Sequence, residues 1–453
     1  MSEIRKKIAK YLGFPLQDKI KGTNILKTLT FLEESQYWDE DRINEYQLKK
    51  LKKLIDYSKN NVPYYEELFN KIRLSSSDIK THSDINKIPI LTKEILREQG
   101  NNMVSRKFSD FKVKIGKTGG TTGVPVRVYK DSYNRTFTWA SYYRWYEWMG
   151  INYFDTVASL WGARTVLSTS LKRQMISKFQ QIIQNEIVLN TFEMSDENML
   201  MYVNRIKKSK PVLLKGYLSA IIQFAQFVEQ KNYHFNSIKA ISTTTESLLP
   251  HNREYIKKIF GVPVFDQYGC GEVSAISYEC SVHNGLHVNQ EHVICEILDN
   301  SDLPIYNSSG RVVATDLDNL VMPFIRFENG DMATLSDKKC RCGINQPLMK
   351  SIEGRSIDTV VLKNGNKVHG VFFTDILYEL NVFTSEFQRF QIYQDTAGEI
   401  EFRIESTGRV NHEIKEKIQK AFLRFLNKVI IIEMKTLPIS KSGKYSYIIS
   451  NLL

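Results

Sequence analysis

The chain has 453 residues, 42% of them hydrophobic and 11% aromatic, enough for a large core and two or three domains, which excludes a disordered or low-complexity protein. Lysine and arginine outnumber acidic residues 62 to 50, a net charge of +12 that suits a phosphorylated ligand, a polyanion or an anionic membrane face without choosing among them. The basic residues are scattered and runs such as Lys49-Lys50-Leu51-Lys52-Lys53 are short, so no nucleic-acid partner is expected.

No apolar stretch approaches the roughly 20 residues that cross a bilayer, and the N-terminus lacks the apolar segment and cleavage site of a secretory signal, so a cytoplasmic location is expected. Residues 4–12 suit a short basic amphipathic helix, resting on an anionic membrane or, as is more common, packing on its own domain. The rest of the first hundred residues reads mainly helical, through Tyr46, Leu48, Leu51, Leu54 and Ile55 and again through residues 90–96.

The run Thr118-Gly119-Gly120-Thr121-Thr122-Gly123 follows. Its glycines let a backbone approach a ligand and its threonines add hydroxyl donors, which suits a polyphosphate cradle; a surface turn has the same composition. Val124-Pro125 stands where a P-loop needs its lysine. Alternation then predicts a strand over residues 124–129, helices over 171–187 and 217–227, and strands over 262–265 and 312–315. Strands alternating with helices indicate an α/β core. The last hundred residues predict a compact α+β unit, with strands at 390–393, 400–404 and 429–432 and a helix at 413–426. These readings divide the chain into a large domain, residues 1–353, and a small one, residues 354–453.

Taken together, the motifs resemble those of the adenylate-forming enzymes: acyl-CoA synthetases, luciferases and peptide-synthetase adenylation domains. The glycine-threonine run resembles their phosphate loop. Asp266-Gln267-Tyr268-Gly269-Cys270-Gly271-Glu272, Arg326-Phe327-Glu328-Asn329-Gly330-Asp331, Gly354-Arg355-Ser356-Ile357-Asp358 and Pro438-Ile439-Ser440-Lys441-Ser442-Gly443-Lys444 resemble four further elements in the same order. Gly285-Leu286-His287-Val288-Asn289-Gln290-Glu291 and the cysteines at 280, 340 and 342 resemble the phenylacetate–CoA ligase and CapK-like branch.

The resemblance implies a large N-terminal α/β adenylating domain and a small mobile α+β lid that turns about Asp358. It implies an ATP-dependent ligase that uses Mg²⁺. Joining a carboxylate to the α-phosphate brings two anions together, and Lys444 is the candidate that neutralises them. Thr118, Gly119, Gly120, Thr121, Thr122 and Gly123 would hold phosphates, Glu272 would ligate Mg²⁺, and Asp331 would accept ribose hydroxyls. Arg355 would contact ribose or phosphate. Gln267, Tyr268 and Gly269 would line the nucleotide, with Tyr268 against adenine. The acceptor of the acyl group stays open between the thiol of CoA and an amine or hydroxyl on an amino acid, amino sugar or surface-polysaccharide precursor; a nucleotidyltransferase that leaves AMP on its substrate is the rival.

Five cysteines in 453 residues do not make a disulfide framework. Cys280 and His283 stand at C-x₂-H spacing and Cys340 and Cys342 flank one residue, a set suited to a structural zinc ion, with His287 as the alternative nitrogen ligand.

Overall fold

The computed structural model describes residues 6–117, 126–162, 175, 179, 181–182, 184–191, 194–245, 248, 250–353, 359–369, 371–380, 382, 389–406, 410–435, 437 and 448–452. The N-terminal region is helical. In the helix Glu40–Asn61 the buried positions Ile43, Gln47, Leu51, Leu54, Ile55 and Ser58 recur every three or four residues, the period of a single buried face. Asp39 starts it by accepting the amide of Arg42, and Pro63 ends it. The residue before a proline is driven to extended backbone, which Val62 adopts, and proline suits the first position of the next helix, Pro63–Lys71.

Among the described residues, two large sheets follow one another along the chain. The first is parallel, in the spatial order Glu186–Asn190, Val157–Trp161, Leu213–Tyr217, Ala240–Thr244, Val264–Phe265, with crossover helices Asp196–Ser209, Leu218–Gln230 and Pro250–Phe260. At Gly216 an added Cβ would stand 2.6 Å from the carbonyl oxygen of Leu160 on the neighbouring strand, so only glycine fits there. The helix expected over 171–187 stops short. Asn185 takes a left-handed conformation at φ 50, and Glu186–Asn190 pairs with Val157–Trp161 as a strand, favoured by the β-branched Ile187 and Val188.

The second sheet is antiparallel, in the order Val293–Leu298, Ser309–Asp316, Phe327–Ser336, Leu348–Glu353, Leu286–Val288, Ser277–Glu279, Gln267–Tyr268. Sequence reading finds only two portions of it, residues 292–298 and 312–315. Several of these strands are short or buried on both faces, so the alternation that marks a half-buried strand is missing. The N-terminal helices cover this sheet: Leu51, Leu54, Ile55 and Phe69 share one core with Val293, Val312 and Phe327.

The helix Ser132–Trp148 connects the two sheets. Its cap, Asp131, accepts the amides of Tyr133 and Asn134 on one oxygen and those of Leu320 and Val321 on the other. Just before it, Lys114–Lys117 and Arg127–Lys130 pair as a hairpin whose connection contains the glycine-threonine run. Toward the C-terminus, a four-stranded sheet in the order Lys428–Met434, Glu399–Glu405, Arg389–Gln394, Ile448–Ser450 and the helices Val371–Glu379 and His412–Phe422 enclose a separate core around Phe373, Phe402 and Phe422. The fold is mixed α/β, with a large N-terminal assembly and this small α+β unit after it.

Candidate active site

Two strand ends of the antiparallel sheet bring the central residues together. Ser277–Glu279 pairs with Gln267–Tyr268 across a tight turn in which Cys270 donates its amide to Val273 and Ile276 to Tyr268. Gly269 suits this turn, because a Cβ on it would lie 3.0 Å from the amide nitrogen of Ala275, tight enough to make the backbone give. From the strand Phe327–Ser336 comes a second turn, with Gly330 at φ 81. The Tyr268 hydroxyl donates to Asp331 Oδ2 at 2.9 Å and receives Asn329 Nδ2 at 2.6 Å, while Asn329 Oδ1 accepts the Asp331 amide at 3.0 Å. Tyr268 is thus held by its hydroxyl and largely buried, and it fixes the carboxylate of Asp331.

Glu272 is buried in the same turn. Burial first, and then the negative charge of Glu272, pushes the Cys270 thiol up to about 12, so this cysteine is no nucleophile at neutral pH. Two cations that sequence reading missed complete the cluster. Lys93, at the start of the helix Lys93–Gln99, donates to the Asn329 carbonyl at 2.6 Å. Lys130 donates to Ser274 Oγ; burial pulls its ammonium below the ordinary lysine value, opposed by Asp316, Cys270 and Glu272. The available signal was Lys130 in register with the buried Val128 on one strand face, where a charge needs a reason.

Arg326, from the same motif as Asp331, serves the architecture: it pairs with Glu296 at 3.0 Å and donates to the Ile88 carbonyl at 2.8 Å. Gln267 begins the strand beside Tyr268. The expected contributors Thr118, Gly119, Gly120, Thr121, Thr122, Gly123, Arg355, Asp358 and Lys444 lie outside the described residues.

Beneath this turn the carboxyl of Asp266 is buried, and burial together with the charge of Glu279 pushes it up to about 7, opposed by the Gln267 amide, the Thr243 hydroxyl and Arg253. The folded chain therefore holds that proton more tightly than the unfolded chain does. The resulting stabilisation is complete below the unfolded value of 3.8 and is lost as pH rises through about 7. Asp266→Asn keeps an acceptor for the Gln267 amide and is expected to melt a few degrees above wild type near pH ~8, the gain disappearing near pH ~4. Equal gains at both pH values would show that the charge is not the cause.

A second cluster lies at the far end of the strand Leu286–Val288. Ligand-type atoms of Cys280, His287, Cys340 and Cys342 all lie within 4.8 Å of one another. Cys280 Sγ and Cys340 Sγ are 3.8 Å apart, and Cys342 Sγ is 3.3 Å from His287 Nε2. Sulfurs at the corners of a zinc tetrahedron are separated by about 3.8 Å, given Zn–S bonds near 2.3 Å, so the donor set fits that ion. His287 Nδ1 faces the Gln346 carbonyl at 3.1 Å, which sets the ring with Nε2 toward the sulfurs. Of the two nitrogen candidates, His287 lies in this cluster and His283, which the C-x₂-H spacing favours, does not. In the structure His283 Nδ1 faces Glu279 at 3.3 Å and Arg253 at 3.2 Å. The adjoining segment is structural too: Glu291 pairs with the buried Arg144 at 2.8 Å and accepts Gln346 Nε2 at 2.6 Å.

Comparison with known proteins bears on this arrangement. No family model matches the chain. Protein CapK of Staphylococcus aureus is 24% identical over 330 residues, 71% of each protein. A phenylacetate-coenzyme A ligase of Escherichia coli is 21% identical over 437 residues, 91% of this chain and 96% of the relative. A crystal structure of 2-hydroxyisobutyryl-CoA ligase covers 92% of both chains with a TM-score of 0.66 at 18% identity, a likeness of fold. In sequence and in fold the chain resembles the adenylate-forming enzymes. The tyrosine-glycine-x-x-glutamate and glycine-aspartate elements that carry this resemblance lie on adjoining parts of one sheet, joined by the Tyr268–Asp331 hydrogen bond.

Proposed function

We propose that this chain joins a carboxylic acid to the AMP portion of ATP and then passes the acyl group to a thiol, with CoA as the acceptor. The observation that carries the reading is the junction of Tyr268, Asn329 and Asp331, with buried Glu272 and the cations Lys93 and Lys130 around it. Such a site combines a fixed hydroxyl-binding carboxylate, a hard-cation ligand and positive charge for a polyphosphate. Relatives named phenylacetate-coenzyme A ligase support CoA over an amine or hydroxyl acceptor.

In the first step a carboxylate oxygen bonds to the α-phosphorus while the bond to the β-phosphate breaks and pyrophosphate leaves. In the second the thiol attacks the acyl carbon, AMP departs and the thiol proton is released. Asp331 is assigned to the ribose hydroxyls and Gln267, Tyr268 and Gly269 to the walls of the nucleotide site. Thr118 to Gly123 are assigned to the phosphates, Arg355 to ribose or phosphate, and Lys444 to the charge that develops between carboxylate and α-phosphate. Mg²⁺ held by Glu272 would supply charge neutralisation on the phosphates. Zinc held by Cys280, His287, Cys340 and Cys342 would be structural.

The acid's remaining part is assigned to the carboxyl ends of the parallel strands, where open α/β sheets hold ligands. The Trp161 and Tyr217 rings meet there at 4.5 Å in a tilted pair, with Trp161 39% exposed, an aromatic wall for an apolar acid. Trp145, by contrast, is buried in the core.

Pyrophosphate release from Mg·ATP across a panel of carboxylic acids, with hydroxylamine as trap and then CoA as acceptor, tests the reading. Acid-dependent release is expected, with Lys444→Ala lowering it about 100-fold while ATP binding persists. An AMP adduct that accumulates on the substrate without an acyl-adenylate would replace this reading with the nucleotidyltransferase one.

A further inference from the structure

The first helical stretch has two faces. Ala9–Gly13 runs as a π-turn into the helix Phe14–Lys21. Ala9, Gly13, Phe14 and Gln17 are buried, and the Phe14 ring packs on Tyr143 and Phe154, 5.2 Å from each. Opposite them Ile8, Leu12, Leu16 and Ile20 recur every fourth residue and are exposed by 39%, 66%, 40% and 63%. The wider π-turn lets residues four apart stay in line, so the row runs about 18 Å along the surface. Tyr11 widens it, and the exposed lysines Lys7, Lys10 and Lys19 flank it.

A second apolar edge adjoins the first. Gln184 Nε2 donates to Gln17 Oε1 at 2.9 Å. Just before Gln184, Met175, Phe179 and Ile182 occur at helical spacing, 71%, 54% and 62% exposed. Single exposed leucines are ordinary, whereas a continuous apolar row at the surface marks an interaction site.

We propose that this face docks on an anionic lipid bilayer. An interfacial helix needs apolar side chains that enter the acyl boundary and lysines at headgroup level, the pattern that Ile8 to Ile20 present. A second copy of the chain related by a two-fold axis would bring Lys7, Lys10 and Lys19 against the same lysines, whereas anionic headgroups neutralise them. Among the described residues no helix is long and apolar enough to cross a membrane, so the contact is peripheral. The same end of the helix reaches the glycine-loop hairpin: Lys112 Nζ donates to the carbonyls of Lys19 and Ile20 and leads into the strand Lys114–Lys117, paired with Arg127–Lys130. Docking would set this strand pair beside the membrane.

The test is co-sedimentation of the full chain with vesicles of phosphatidylcholine alone or with about one third phosphatidylglycerol. Binding is expected only to the anionic vesicles and should weaken with salt. Leu12→Glu with Leu16→Glu, and separately Lys10→Glu with Lys19→Glu, should each lower the bound fraction about tenfold while thermal midpoint and pyrophosphate release stay unchanged. The lysine pair keeps the test decisive should the leucine pair disturb folding. Equal binding to neutral vesicles, no binding to either, or undiminished binding by the lysine variant would overturn the proposal, as would a wild-type dimer that the leucine variant splits.

Discussion

Glu272→Gln is expected to lower acid-dependent pyrophosphate release by about a thousandfold and to raise the Mg²⁺ concentration for half-maximal rate at least about tenfold. The side chain is buried in the turn after Tyr268 and lies close enough to Lys130 and Cys270 to act on both. Two roles are open to a carboxylate so placed. It can offset the buried ammonium of Lys130, or it can offer its charge to a hard cation brought in with the nucleotide. Glutamine preserves shape and one acceptor oxygen but not the charge. A metal-binding role therefore predicts an intact fold with altered Mg²⁺ dependence. A purely structural role predicts a lower thermal midpoint with unchanged Mg²⁺ dependence, and that outcome would reassign the residue.

The second large effect concerns the thiol–imidazole cluster. Cys280 and Cys340 are 60 positions apart, so a metal joining them closes a loop whose entropy cost in the unfolded chain is about 4 kcal/mol by the cross-link relation. Cys340→Ser is expected to abolish bound zinc, near one ion per chain in wild type, and to lower the thermal midpoint by about 10 °C. Metal content and melting curves, recorded with and without chelator, check it. Metal-free wild type, purified without chelator and insensitive to chelator in its melting, would remove the assignment.

The site was legible in sequence where chemistry is local. Tyr268 to Glu272 and Gly330-Asp331 stand as continuous motifs, each with its own reason for the residue types it uses, while the glycine-threonine run lies outside the described residues. What depends on strand register was not legible. His283 has the better spacing from Cys280, yet its turn, at φ 55, directs it to Glu279. His287 sits opposite Leu348 in a strand pair, and from there its ring reaches Cys342. Lys93 was missed because it belongs to a different element that arrives over the Asn329 carbonyl only in the folded chain. The parallel sheet was partly anticipated through its strand–helix alternation, whereas the antiparallel sheet showed only in its strands at 292–298 and 312–315, the others being short or buried on both faces. The tyrosine expected to pack on adenine also illustrates this limit, since its hydroxyl contacts come from a strand some sixty residues onward.

Each sheet is built from an unbroken run of sequence: residues 157–265, then 267–353, then 389–450. The N-terminal helices are not. Ser35 bonds to Glu291, Gln47 to the Val293 carbonyl and Lys50 to Asp318, partners that leave the ribosome some 240 to 270 residues later. During synthesis the parallel sheet can close as soon as it is made, while the amphipathic helices made first must wait with their apolar faces uncovered until the antiparallel sheet follows. The order of translation and the order of assembly thus run in opposite senses at the two ends of the large assembly, which makes the waiting N-terminal helices the segment of the nascent chain most in need of chaperone shelter.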